Sequence, residues 1–297
     1  MKKIVVPVDF SENTECACNY AIHFAEKEET EIVLFHAYMY PIATADMTDD
    51  VVDSSTLITP EIMDSIERAA KAGMKRLKDK LEKKLSTENI KTIQLKTKVT
   101  NGMVEYQIID LCDTYHPDMV IMSSTGQGHK SGRLLGSVAL KILEHAPIPV
   151  LTIPDNTEYQ KIQNVLYMTD FDTSDISAIE NLVHILDSIK VKIHCLHVEH
   201  SKKDLINNML TDYLKEHFED EFKKGIMFFE IVQDKDVLKA VEEYITDKEI
   251  DLVALLHHKR GLLSHLFHPN MTKKLFYHMR QPLLTFHDIK EDNEIEE

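Results

Sequence analysis

Ile4-Val5-Val6-Pro7-Val8-Asp9-Phe10 and Val165-Leu166-Tyr167-Met168-Thr169-Asp170-Phe171 are one motif written twice. Each is a short, continuous apolar run that closes on Asp-Phe, the pattern of a strand buried on both faces. Asp9 and Asp170 stand 161 positions apart, and the same offset carries His36 onto His197. Towards the end of each copy the offset falls to 133, matching Asp118 with Asp251, Lys141 with Lys274, His145 with His278 and Pro149 with Pro282. The difference of 28 positions falls in the middle, where the first copy has its long irregular stretch and helix. An internal repeat of this size reads as two structural copies of one unit.

Within each copy, apolar runs alternate with segments of helical spacing. In the first, a strand over residues 4–8, a helix over 12–28 and a second strand over 31–37 make a βαβ opening, which builds parallel sheets. Thr59-Pro60-Glu61 supplies a cap, a first-turn proline and a first-turn acid for an amphipathic helix running to about residue 85. A strand at 92–99, a helix at 104–115, a strand at 119–122, a helix at 137–145 and a strand at 150–153 close the copy. The polar stretch Pro154-Asp155-Asn156-Thr157-Glu158 links it to the second. The expected organisation is a first domain over 1–154, a linker over 155–161, a second domain over 162–288 and an acidic tail over 289–297.

Composition narrows the partners. The chain has 297 residues, enough for two cores, with 43% hydrophobic and 28% charged residues. Its 50 acidic against 34 basic residues give a net charge of −16, which repels nucleic acid and anionic membrane surfaces. The four cysteines (Cys16, Cys18, Cys112 and Cys195) form no CxxC pair, and no signal-type segment or apolar run of membrane-spanning length is present. A cytoplasmic protein is expected. His257, His258, His265 and His268 cluster without metal-motif spacing, and His194, His197 and His200 alternate along one strand, so no metal site is expected.

The chemistry-bearing segment is Ser123-Ser124-Thr125-Gly126-Gln127-Gly128-His129-Lys130-Ser131-Gly132-Arg133-Leu134-Leu135-Gly136-Ser137, which holds four of the chain's eight glycines. Glycine permits positive φ and lets backbone N–H groups approach an anion closely. Gly136-Ser137 opens a helix, so free N–H groups and the positive end of its dipole face the same place. Lys130 and Arg133 read as solvated loop cations. In the second copy the matching positions are Lys259, Pro269 and Asn270, and proline has no N–H to give. That loop reads as degenerate.

With its G-x9-G-S spacing from Gly126 to Ser137, its Val6-Pro7-Val8-Asp9 start and its closing His145-Ala146-Pro147-Ile148-Pro149-Val150, the chain resembles the universal stress proteins over nearly its whole length as a tandem pair. The family pattern is G-x2-G-x9-G-[ST], and Ser123 stands where its first glycine would be. The resemblance implies two tandem doubly wound parallel-sheet domains, Rossmann-like and of the adenine nucleotide alpha hydrolase-like class, paired as an intramolecular pseudo-dimer with scope for homodimerisation. It implies ATP, with or without Mg2+, held by Pro7, Val8, Asp9, Ala37, Val99, Ser123, Gly126, Gly128, Gly136, Ser137 and Val138. Asp9 would approach the adenosine, backbone near Ala37 and Val99 would edge the base, and the glycines with Ser137 would hold phosphate. A stress sensor or regulator is the leading expectation; a slow ATPase using the same cleft and a nucleotide-free scaffold are the alternatives. Asp9-Phe10-Ser11-Glu12-Asn13 departs from the S-G-G-x-D-S loop of the related ATP pyrophosphatases, which disfavours the enzyme.

Overall fold

A computed structural model describes residues 1–41, 59–126, 136–155, 157–169, 174–199, 206–257 and 279–287. The first half runs β1 (Lys2–Pro7), α1 (Glu12–Ala25), β2 (Thr30–Tyr38), α2 (Pro60–Thr87), β3 (Ile93–Asn101), α3 (Val104–Tyr115), β4 (Met119–Ser123), α4 (Ser137–His145) and β5 (Val150–Ile153). The second runs β6 (Asn164–Met168), α5 (Ser174–Leu186), β7 (Lys192–Glu199), α6 (Ile206–His217), α7 (Glu219–Lys223), β8 (Met227–Gln233), α8 (Val237–Asp247), β9 (Leu252–His257) and β10 (Leu283–His287). Helix α1 stops three residues short of the span read from its periodicity, because the chain turns at residues 26–28 to enter β2. Among the described residues no helix is long and apolar enough to cross a membrane.

The ten strands form one sheet in the order β3-β2-β1-β4-β5-β10-β9-β6-β7-β8. Each half, read from its outer edge inward, repeats the same strand order, and all pairs within a half are parallel. The halves meet where β10 lies antiparallel to β5, with Leu284 opposite Leu151, Leu283 opposite Thr152 and Thr285 opposite Val150. Leu151 and Leu284 are counterparts at the 133 offset, so the junction sits on the local two-fold axis of the repeat. His287 adds to it from β10, its ring nitrogens 2.6 Å from the Leu143 carbonyl oxygen and 3.2 Å from that of Ile148.

The repeat extends to hydrogen bonds. Val8 N–H donates to Phe35 O at 2.8 Å, and Thr169 N–H to Leu196 O at 3.0 Å. Asp118 Oδ2 accepts from Lys3 N at 2.6 Å, as Asp251 Oδ2 does from Asn164 N at 2.9 Å. These buttresses fix the start of β1 and β6 against the turns before β4 and β9. They explain why both aspartates stand at matched positions.

Side chains alternate across the sheet, as the pleat requires. Ile4, Val6, Leu34 and Ile121 point to one face, where α1, α2 and α5 add Tyr20, Phe24, Leu77, Leu81, Ile179 and Leu182. Val5, Phe35 and Val120 point to the other, covered by Ile108, Leu111, Ile142, Val241 and Tyr244 of α3, α4 and α8. Each of these clusters draws on both halves, so the cores are continuous through the β5–β10 seam. The connecting segment is tied down as well: Tyr159 meets the Tyr20 ring edge-on at 5.1 Å and stacks on His23 at 5.0 Å, and Ile162 is fully buried. At the far end of α5, Lys2 Nζ donates to Ile185 O at 3.0 Å, and Ser188 Oγ to Glu28 at 3.0 Å.

Candidate functional site

Within the first half, connections run outward from β1 to β2 and β3, then return to β4 and β5 on the other side. The strand order therefore reverses between the parallel neighbours β1 and β4, and in such sheets ligands sit outside the carboxyl ends of the strands at that point. A cavity of about 290 Å³ lies there, between the end of β1, the end of β4 and the first turn of α4. Its walls include Pro7, Val8, Asp9, Ala37, Ser123, Gly126, Gly136, Ser137 and Val138 from the sequence-derived set. Thr14, His36, Val104, Met122, Ser124, Thr125 and Ala139 also line it and were not anticipated. Val99 does not line it: it lies on β3, one strand further out in register with His36, and packs against the core on the α1 face. Gly128, Lys130 and Arg133 lie outside the described residues, as do Asp170, His200, His258, Lys259, His265, His268, Pro269 and Asn270.

Asp9 follows β1 and is held by its own neighbours. Its Oδ1 accepts from Ser11 N at 3.0 Å, Ser11 Oγ at 2.6 Å and Thr14 Oγ1 at 2.5 Å. Phe10, at φ 63°, takes the left-handed turn that brings the chain back into α1, and Ser11 caps that helix by accepting from Thr14 N. The sequence signal was present in the Asp-Phe-Ser-x-x-Thr spacing, but only the turn shows that both hydroxyls converge on one carboxylate oxygen.

Gly126 explains itself by space. A Cβ there would stand 2.6 Å from Asp9 Oδ2, and the carboxylate cannot simply swing aside while Oδ1 is held by three donors. Gly136 differs from the sequence expectation. It is the N-cap of α4 at φ −77°, an ordinary conformation, and an added Cβ would meet Ser124 O at 3.5 Å, a normal contact. Its N–H donates to Ser124 O at 2.7 Å, closing the loop onto β4. The first turn of α4 carries no side-chain cap, and its residues Ser137, Val138 and Ala139 line the cavity, which puts the positive end of the helix dipole on that side.

The segment after β4 is pinned from both sides. Ser123 Oγ donates to Thr125 O at 2.7 Å, so this hydroxyl shapes the loop, and Thr125 Oγ1 donates to Asp155 while accepting from Asn13 Nδ2 at 2.9 Å. Behind α4, Lys141 pairs with Glu105 of α3 at 2.5 Å. The hydrogen bond from Lys141 holds the Glu105 carboxyl below the usual carboxylate range. A depressed folded value gives stability that is present above the ordinary value of about 4.3 and is lost as pH falls through the lower one. The melting temperature of the wild type should therefore fall more steeply with acid below about pH 4.3 than that of Glu105→Gln. Parallel melting profiles for the two proteins would contradict the tie.

In the second half the position matching Thr14 is Asp175, a buried carboxylate that accepts from Tyr167 Oη and Thr169 Oγ1, each at 2.6 Å. A carboxyl group thus stands where the first half has a hydroxyl, a difference beyond those read from the loop.

Comparisons with known proteins agree with this architecture. Residues 1–154 match the model of the universal stress protein family. A universal stress protein of Methanocaldococcus jannaschii is 28% identical over 160 residues, covering 51% of this chain and 94% of the relative. One of Bacillus subtilis is 24% identical over 151 residues, covering 51% and 97%. The crystal structure of a universal stress protein from Archaeoglobus fulgidus superposes with a TM-score of 0.70 over 96% of this chain and 98% of that one, at 15% identity, a likeness of fold.

Proposed function

The chain belongs to the universal stress protein family, and from that premise we propose that its first half binds ATP or a related adenine nucleotide, with or without Mg2+, and that the tandem chain acts as a stress sensor or regulator. The observation that carries this reading is the cavity at the switch point, where an anchored carboxylate, a glycine with no room for a side chain and an uncapped helix start face one another. Phosphate suits the α4 end, because backbone N–H groups and the dipole both favour an anion. Asp9 suits the ribose end, as an acceptor for hydroxyl donors. Pro7, Val8 and Ala37 form the apolar edge for the base. The volume lies at the lower limit of the roughly 300–1,000 Å³ usual for small-molecule sites.

The second half is assigned a structural role, with domains over 1–154 and 162–288 joined by 155–161 into a pseudo-dimer whose free surfaces allow a further homodimer, and with 289–297 as a solvated acidic tail. The four cysteines are unpaired thiols, which favours the cytoplasm. Equilibrium dialysis against labelled ATP tests the assignment: saturation at one nucleotide per chain is expected, and release of ADP during dialysis would favour the slow ATPase instead.

A further inference from the structure

We propose that His36 reads the nucleoside through its Nε2, which accepts a hydrogen bond from a hydroxyl or amino donor of the ligand; the inference rests on the nucleotide assignment above. His36 Nδ1 lies 2.7 Å from the Val8 carbonyl oxygen. A carbonyl only accepts, so Nδ1 carries the proton, and in the neutral ring Nε2 is a lone-pair acceptor. Nε2 has no hydrogen-bond partner among the described residues, and the ring lines the cavity.

The ring is also held in place. Phe10 packs on it with centroids 4.4 Å apart, and Phe10 in turn rests against Gly73, where a Cβ would come within 3.0 Å of its ring. The acceptor is therefore presented without reorganisation when a ligand enters. The tie to the first strand recurs in the second half, where His197 Nδ1 lies 2.8 Å from Thr169 O. The tie thus belongs to the fold of both halves, and in the first half the ring that makes it lines the cavity.

Two substitutions separate the roles. In His36→Asn the amide nitrogen takes the place of Nδ1 on Val8 O and nothing replaces Nε2; in His36→Gln the amide oxygen takes the place of Nε2 and the tie is lost. Calorimetric affinities of ATP, 2′-deoxy-ATP, 3′-deoxy-ATP and N6,N6-dimethyl-ATP are compared for the wild type and both variants. The wild type should disfavour one donor-deleted analogue by about threefold to tenfold, the worth of one hydrogen bond. His36→Asn should lose that discrimination and His36→Gln keep part of it, whereas a purely structural role predicts the reverse ranking. The ratio between analogues is insensitive to partial unfolding. A wild type that binds ATP and treats all analogues alike, or discrimination undiminished in His36→Asn, overturns the role of His36 alone. A wild type that binds none of the four overturns the nucleotide assignment with it.

Discussion

Leu151→Asp should destabilise the protein by more than about 4 kcal/mol and should do so in both halves at once. Leu151 and Leu284 are fully buried and face each other across the β5–β10 seam. Removing a buried leucine to alanine alone costs about 2–5 kcal/mol. A carboxylate in its place adds the cost of burying a charge without a partner. Against a total stability of about 5–15 kcal/mol, little folded protein should remain at physiological temperature. The seam also fixes how the loss is shared, since the clusters on both sheet faces draw side chains from each half. Scanning calorimetry on the milder Leu151→Ala and Leu284→Ala should show one transition moved down as a whole. A melt that splits into two steps, one at the wild-type temperature, would show that the halves fold independently.

Gly126→Val should lower ATP affinity by about 100-fold, equivalent to one or two charge-assisted hydrogen bonds, while the fold persists. Even a Cβ at this position would stand 2.6 Å from Asp9 Oδ2. Either the carboxylate leaves its three donors or the segment after β4 moves off the cavity wall, and both displace groups assigned to the ligand. Gly136→Ala is the control, because its added Cβ meets only ordinary contacts. It should change affinity less than threefold, about half a kcal/mol. Equal losses at the two glycines in calorimetric titration would mean that the loop responds to side-chain bulk in general and that the Asp9–Gly126 contact is not what shapes the site.

The fold was legible because the repeat is written twice with two fixed offsets. Asp118 and Asp251, matched in sequence, make the same backbone bond in each half. Leu151 and Leu284, matched at the same offset, meet at the junction. Nine of the cavity's lining residues were legible too, since strand ends and helix starts are marked by short-range signals: Pro7 to Asp9 at the end of β1, Ser123 closing β4 and Gly136-Ser137. What escaped was set by tertiary position. Thr14 enters through a turn that folds it back on Asp9, and Thr125 is fixed by Asn13 and Asp155, distant in sequence. Val99 follows the alternation of β3 but stands one strand beyond the cavity, a distance that the resemblance could not convey. The glycines divide on the same ground: conformational freedom is visible as a residue type, whereas the missing space at Gly126 exists only once Asp9 is in place.

Equilibrium dialysis with labelled ATP tests the central claim most directly, because it counts sites without assuming where they are. The first half offers Asp9, Gly126 and the uncapped start of α4 around one cavity. The second has Lys259, Pro269 and Asn270 in its loop sequence and the buried carboxylate of Asp175 beside Thr169. Saturation at one nucleotide per chain, lost in Gly126→Val, is the predicted result; two equivalent sites per chain, or none, would contradict it.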